Sequence, residues 1–294
     1  MTVPGLRLNI AAGRPTPRRI LRALRIIHPL PTLLNVAATA ALAFVAARGV
    51  PDATVLARML VAMLCAQSAI GAVNDHADRD LDAAMKPWKP IPAGLVSPAA
   101  ALWLAGALLF VAVGAGATLG SWSLLLLMLG IGCGLVYDVR LKRSRWSGLP
   151  FMVAIPTLPL WVWVTLGAWH DRLLWLVPLG ALIGLSLHLA NTLPDLAGDA
   201  AHGVQGLAHG LGDRRSKIVA WTSFAVALAL SLALAPALAY DLAVYLPVLA
   251  AGSLALIASV WAGSQNSPSA QQFAFGVLGI GAAVVATGWL AAIA

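Results

Sequence analysis

The sequence contains no glutamate; all eleven acidic residues are aspartate. Charge of either sign is scarce, 10% of 294 residues against 60% hydrophobic, and mean hydropathy is +0.86. A soluble domain of this size needs more charge to cover its surface, so that class is excluded. Only two cysteines occur, Cys65 and Cys133, each inside an apolar run and neither beside a histidine. They read as small core residues, which argues against a disulfide scaffold or a thiolate metal centre. The long apolar runs lack the alternation of barrel strands, so a membrane β-barrel is excluded. The N-terminal stretch lacks a short apolar core followed by a small-residue cleavage site and reads as a basic leader, residues 1–23, on the cytoplasmic side.

What is present is hydrocarbon in lengths of about 20 residues, enough to cross about 30 Å of bilayer as helix. The runs predict nine transmembrane helices near 24–47, 53–76, 98–118, 121–138, 149–168, 172–193, 217–238, 241–263 and 270–293. Net charge is +8, but the basic residues sit between apolar runs and form no polar face, so no nucleic-acid partner is expected. Short connections alternate with long polar ones at 74–97, 138–148 and 195–217. The first 25 residues and these three connections hold sixteen of the nineteen Lys and Arg, leaving Arg48, Arg58 and Arg172 on the other side. Basic loops stay cytoplasmic, so the N-terminus is expected inside and the C-terminus outside a bacterial or archaeal-type cell membrane. The expected fold is an all-α membrane bundle in one domain, 1–294.

A nine-residue pattern occurs twice: Asn74, Asp78 and Asp82, then Asn191, Asp195 and Asp199. Each copy ends an even-numbered helix, the second and the sixth, which suggests two related four-helix halves plus a final helix. At about 100° per residue, Asn74, Asp75, Asp78 and Asp82 share an arc of about 100°, while Asp80 and His76 point elsewhere. One aspartate at a helix end is an ordinary solvated residue, and Asp52, Asp171 and Asp241 are read that way. Clustered carboxylates repel unless a cation neutralises them, and an oxygen-only ligand set selects a hard cation such as Mg²⁺. The proposed metal shell is Asn74, Asp78, Asp82, Asp195 and Asp199, with Asp75 beside it.

Cations follow both polar helix ends. Lys86 and Lys89 lie in the proline-stiffened stretch Lys86–Gly94, and Tyr137, Arg140 and Lys142 end the fourth helix. With Arg79, Asn74 and Asn191 they are candidate contacts for an anionic diphosphate, whereas Arg143 and Arg145 read as topology charges. His76 and His188 read as core residues, His202 and His209 as loop residues. The tryptophans read as interfacial belt or core, with Trp161 kept open as an aromatic face for a cation.

These motifs resemble those of the UbiA-type superfamily of intramembrane prenyltransferases. Asn74–Asp82 is similar to its N-D-x-x-D-x-x-x-D motif, Asp195 and Asp199 to its D-x-x-x-D motif, and Tyr137–Lys142 to its Y-x-x-x-[LK]-K loop. The resemblance implies nine helices around a central cavity with a lateral opening to lipid. It implies a prenyl diphosphate held through Mg²⁺ and an aromatic, tetrapyrrole or lipid acceptor. On this carry-over Asp75, Asp78, Asp82, Asp195 and Asp199 are the catalytic set. Asp78-Arg79, Asp82-Ala83 and Lys89–Gly94 are similar to chlorophyll synthases and geranylgeranylglyceryl phosphate prenyltransferases. Many members carry basic residues where this chain has Ala200, Ala201 and Gln205, which shifts anion binding onto Lys86, Lys89 and Lys142. Two other functions use the same residues differently. A terpene cyclase would ionise the diphosphate and quench the cation internally; a transporter would carry the substrate unchanged, from a site nearer the bilayer midplane.

Overall fold

A computed structural model describes residues 16–201, 203–265 and 267–293, with the side chains of Ala197 and Asp199 left aside. Leader residues 1–15 and His202 lie outside the described residues. The described residues form helices and turns, with no strand among them. Nine long helices make the bundle: α1 Pro29–Ala46, α2 Ala53–Ala77, α3 Pro98–Ala117, α4 Ser121–Val139, α5 Leu149–Thr165, α6 Leu176–Thr192, α7 Asp213–Ala233, α8 Leu242–Gly263 and α9 Pro268–Ile293. Eight contain or belong to apolar segments of 18 residues or more. The ninth, α5, has 17 residues and contains Pro156 and Pro159.

The helices start where the sequence provides for their free N–H groups. The Asp52 carboxylate accepts from Val55 N–H (2.9 Å), Ser97 Oγ from Ala100 N–H (3.1 Å) and Asp241 from Ala243 N–H (3.0 Å). Pro29, Pro98 and Pro268 open α1, α3 and α9, where a missing N–H costs nothing. In lipid the hydrophobic effect does not drive helix against helix, so close packing must. Gly184 of α6 shows how: a Cβ there would lie 2.4 Å from the Phe151 carbonyl oxygen of α5.

The two halves are built alike. Helix α2 packs on α1 and α3, and α6 packs on α5 and α7; α4 against α5 and α9 against α1 close the ring, with α8 on α9. The largest apolar cluster, including Met59, Trp161, Trp163, Leu173, Tyr245 and Trp289, gathers toward the end of the bundle away from the aspartates.

Three boundaries differ from expectation. The first span does not run from residue 24: a short helix Pro17–Ala23 and a 3-10 turn Leu24–Ile27 precede a break at His28, whose φ is +47°. Pro29 and Pro31 lack the N–H groups that would continue the turn, so α1 restarts there. The connection expected to be loop over 195–217 contains short helices Leu196–Ala201 and Leu207–Leu211, and α7 begins at Asp213. The first aspartate motif is not one unbroken helix, because Asp78 (φ −94°, ψ 2°) separates α2 from a short helix Arg79–Met85.

Candidate active site

The aspartates of the first motif face inward despite their charge. Asp75, Asp78 and Asp82 are 2%, 4% and 4% exposed, whereas the Asp80 side chain is 88% exposed and pairs with Arg79. Backbone hydrogen bonds bridge the break, Asp78 N–H to Asn74 O and Asp82 N–H to Asp78 O, so the carboxylates keep helical spacing.

Each buried carboxylate of the first motif has a cation. Lys89 Nζ donates to Asp75 Oδ1 (2.9 Å) and Asp82 Oδ2 (2.7 Å), and Lys142 donates to Asp78 Oδ2. Arg143 reaches Asp78 Oδ1 at 3.5 Å. His28 Nε2 lies 2.9 Å from Asp75 Oδ1. Its ring approaches because residue 71 is glycine, where a Cβ would sit 3.1 Å from the imidazole. The Asn74 amide donates to Asp138 Oδ1 (2.8 Å). Burial pushes the Asp82 carboxyl above its ordinary range, and the Lys89 hydrogen bond and charge pull the other way without cancelling it. Burial opposes the charge on Lys89 too, but its bonds to Asp82 and Asp75 outweigh it and hold the ammonium above its usual pKa.

The second motif is brought to the first. Lys86 Nζ donates to Asp195 Oδ2 (2.9 Å), and a side chain at Gly198 would run into Met85 at the end of the first motif's short helix. Asp195 sits on the 3-10 turn Leu193–Asp195, and Asp199 falls on the helix Leu196–Ala201. Tyr137 stacks edge-on against Phe151 (5.2 Å) and His188 (5.9 Å), directly before Asp138. His188 Nε2 lies 2.9 Å from Ser147 Oγ, which also accepts Leu207 N–H and so ties the 207–211 helix to the bundle.

Other expected contacts lie elsewhere. Arg79 donates to its own His76 carbonyl (3.0 Å), and Arg140 and Asn191 are exposed. Trp161 donates to Ser123 Oγ at the far end of the bundle, so it serves the core and is not near the aspartates. Sequence reasoning missed His28 and Asp138 and read Arg143 as a topology charge. His28 acts across 47 residues, and only its place in His28-Pro29-Leu30-Pro31, where a helix must restart, marks it out.

Between α1, α5, α6, α7 and α9 lies a cavity of about 310 Å³ with an almost wholly apolar lining. It starts at Leu34 and Asn35, two turns along α1 from His28, and ends against Trp289. Leu34 is 61% exposed and Trp289 2%, so the lining reaches the outer surface of the bundle at Leu34 and is buried at Trp289.

A nine-helix bundle with paired aspartate motifs over an apolar cavity defines an integral membrane enzyme acting on an anionic headgroup with a hydrocarbon tail. Residues 34–281 match the UbiA prenyltransferase family, and the chain belongs to it; it is a multi-pass membrane prenyltransferase. It is 33% identical to the digeranylgeranylglyceryl phosphate synthase of Natronomonas pharaonis over 74% of this chain and 79% of that one. It is also 33% identical to the bacteriochlorophyll synthase 33 kDa chain of Rhodobacter capsulatus, over 54% of this chain and 56% of that one. A solved digeranylgeranylglyceryl phosphate synthase shares the fold at TM-score 0.72 and 15% identity, covering 94% of this chain and 99% of that one. So does a UbiA homologue from Archaeoglobus fulgidus bound to GPP and Mg²⁺, at TM-score 0.70 and 16% identity, over 93% and 100%.

Proposed function

We propose that this chain, as a single domain, transfers a prenyl group from a prenyl diphosphate, held through Mg²⁺, to a hydrophobic acceptor within the membrane. The observation that carries this reading is the convergence of both aspartate motifs and three lysines above the mouth of an apolar cavity. Relatives named for phosphoglycerol and tetrapyrrole products support an acceptor of one of those classes.

The residues suit a hard cation. Their donor atoms are carboxylate and amide oxygens, and Asp75 Oδ2 and Asp138 Oδ2 are buried without a hydrogen-bond partner among the described residues. Among the described residues no three of His, Cys, Asp and Glu are gathered as a ready-made metal site. Mg²⁺ usually completes its shell with substrate phosphates and water. Asn74, Asp78 and Asp82 on one side and Asp195 and Asp199 on the other would hold it, and when bound it neutralises charge developing on the departing diphosphate.

The chain's own groups do the rest. Lys86, Lys89 and Lys142 are held by carboxylates, and with those carboxylates on a metal they would be the cations available to diphosphate oxygens. The prenyl C1–O bond breaks with its electron pair leaving on diphosphate; the acceptor's nucleophile bonds to C1 and gives up its proton. The apolar cavity orients the hydrocarbon tail and keeps water from the reactive carbon. Asp80 and Arg79 face away and take no part. The basic connections lie at the aspartate end, so this end faces the cytoplasm and the C-terminus lies outside.

The test is turnover of a prenyl diphosphate with candidate acceptors in the presence of a divalent-cation chelator. Product formation should cease and return with added Mg²⁺. Undiminished turnover in chelator refutes the reading, and a cyclic hydrocarbon formed without acceptor replaces it with cyclisation.

A further inference from the structure

Immediately before α1, the helix Pro17–Ala23 and the turn Leu24–Ile27 lie at the aspartate end of the bundle. At about 100° per residue, Pro17, Ile20, Leu21 and Leu24 fall within an arc of about 100°, and Arg18, Arg19 and Arg22 share the opposite side. A protein-facing segment would bury its apolar arc. Here Ile20, Leu21 and Leu24 are 47%, 67% and 48% exposed. Only Ile26 is buried, packed among Ala69, Ala72, Ala101 and Ala105 of α2 and α3. Arg18, Arg19, Arg22 and Arg25 are exposed and make no ion pair among the described residues, and no acidic residue occurs between 16 and 28.

We propose that residues 17–27 are a foot that lies in the headgroup layer of anionic phospholipid and holds His28 against Asp75. Water would solvate the arginines but leave three large apolar side chains exposed. A zwitterionic surface would take the apolar arc but leave four positive charges unmatched. An anionic headgroup layer satisfies both sides of one amphipathic segment at the depth where α1 enters the membrane. Ile26 pins the segment to α2 and α3, and two residues later His28, forced into the left-handed region before Pro29, sets its ring on Gly71 and Asp75. Seating the foot therefore fixes one of the two side chains that meet Asp75 Oδ1, and Lys89 is the other.

The full chain in nanodiscs of phosphatidylcholine, with or without phosphatidylglycerol, tests this by hydrogen–deuterium exchange of the 17–27 amides. Exchange should be at least about fivefold slower in the anionic discs, the effect of a single arginine at such a surface. The variant R18Q/R19Q/R22Q should lose that difference while exchange in α2 and α3 stays unchanged. Equal exchange of the wild-type segment in both lipids overturns the proposal. So does protection in lipid-free detergent that rises with protein concentration, which would mark a second copy as the occupant. Turnover, measured alongside, rests on the prenyl-transfer reading and should rise with the anionic fraction for the wild type and stay flat for the triple variant. No turnover in any lipid, with the exchange difference intact, removes the reaction and leaves the docking. Turnover indifferent to lipid removes the link through His28.

Discussion

At the scale of single residues, the first motif buries Asp75, Asp78 and Asp82, and that burial is tolerable because a lysine touches each. Asp80 is the internal control, since it belongs to the same motif but faces solvent. Replacing Asp78, Asp82, Asp195 or Asp199 with Ala should lower turnover by about 10²-fold or more, in the range seen when a preorganised charge-stabilising group is lost. Asp80→Ala should retain most activity, and comparison of the variants at matched purity and thermal stability decides it. An Asp80→Ala enzyme as inactive as Asp78→Ala would sink the inward-facing stripe. Lys89 bridges two buried carboxylates and is itself 21% exposed. Lys89→Met should destabilise the fold by about 3 kcal/mol, the cost of breaking a buried ion pair. Added Mg²⁺ should restore part of that loss, because the freed carboxylates gain another cation. Thermal unfolding in detergent, with and without Mg²⁺, is the measurement, and a wild-type midpoint for the variant would show that Lys89 is dispensable.

At the scale of elements, helix contacts in this bundle depend on where glycine permits backbone approach. Gly184 has the Phe151 carbonyl against it, whereas Gly106 on α3 has open space where a Cβ would stand. Gly184→Ala should therefore force α5 and α6 apart and cost about 1–3 kcal/mol. Gly106→Ala should be neutral or stabilise by about 0.5–1 kcal/mol, since alanine is the better helix residue. The pair of unfolding midpoints tests this, and equal shifts would refute the packing account. The two prolines inside α5 belong to the same argument. Pro156 sits against Gly180 of α6, whose lack of a side chain makes room for the ring.

For the whole molecule, the proposed orientation rests on the distribution of basic residues, and the proposed sides of the termini rest on nine spans. A reporter fused after Ala294 should report outside the cytoplasm, and one inserted between Arg140 and Gly148 should report inside. A cytoplasmic C-terminal reporter would mean that one of the nine helices does not cross; α5, with 17 residues and two internal prolines, would be the first suspect. On the proposed reading, the cavity that runs from Leu34 to Trp289 would hold the hydrocarbon tail deeper in the bilayer than the diphosphate.

Much of this was already determined by sequence. Apolar runs of bilayer length, loops that alternate in length and charge, and a repeated Asn/Asp pattern dictate a nine-helix bundle with an acidic site at one end. Such features depend on local composition and on helical period, which need no knowledge of neighbours. Tertiary structure decided the rest. Which lysine serves which aspartate depends on where the loops return: Lys142 crosses from α4 to Asp78, and Lys86 from the first motif to Asp195. Arg79 looks like a site residue by its place in the motif, yet helical geometry turns it away to Asp80. His28 and Asp138 show no motif of their own and become part of the site only because α1 and α4 lie beside α2. Side-chain pairing across 47 or 64 residues is set by the packing of helices, and a linear pattern carries no record of it.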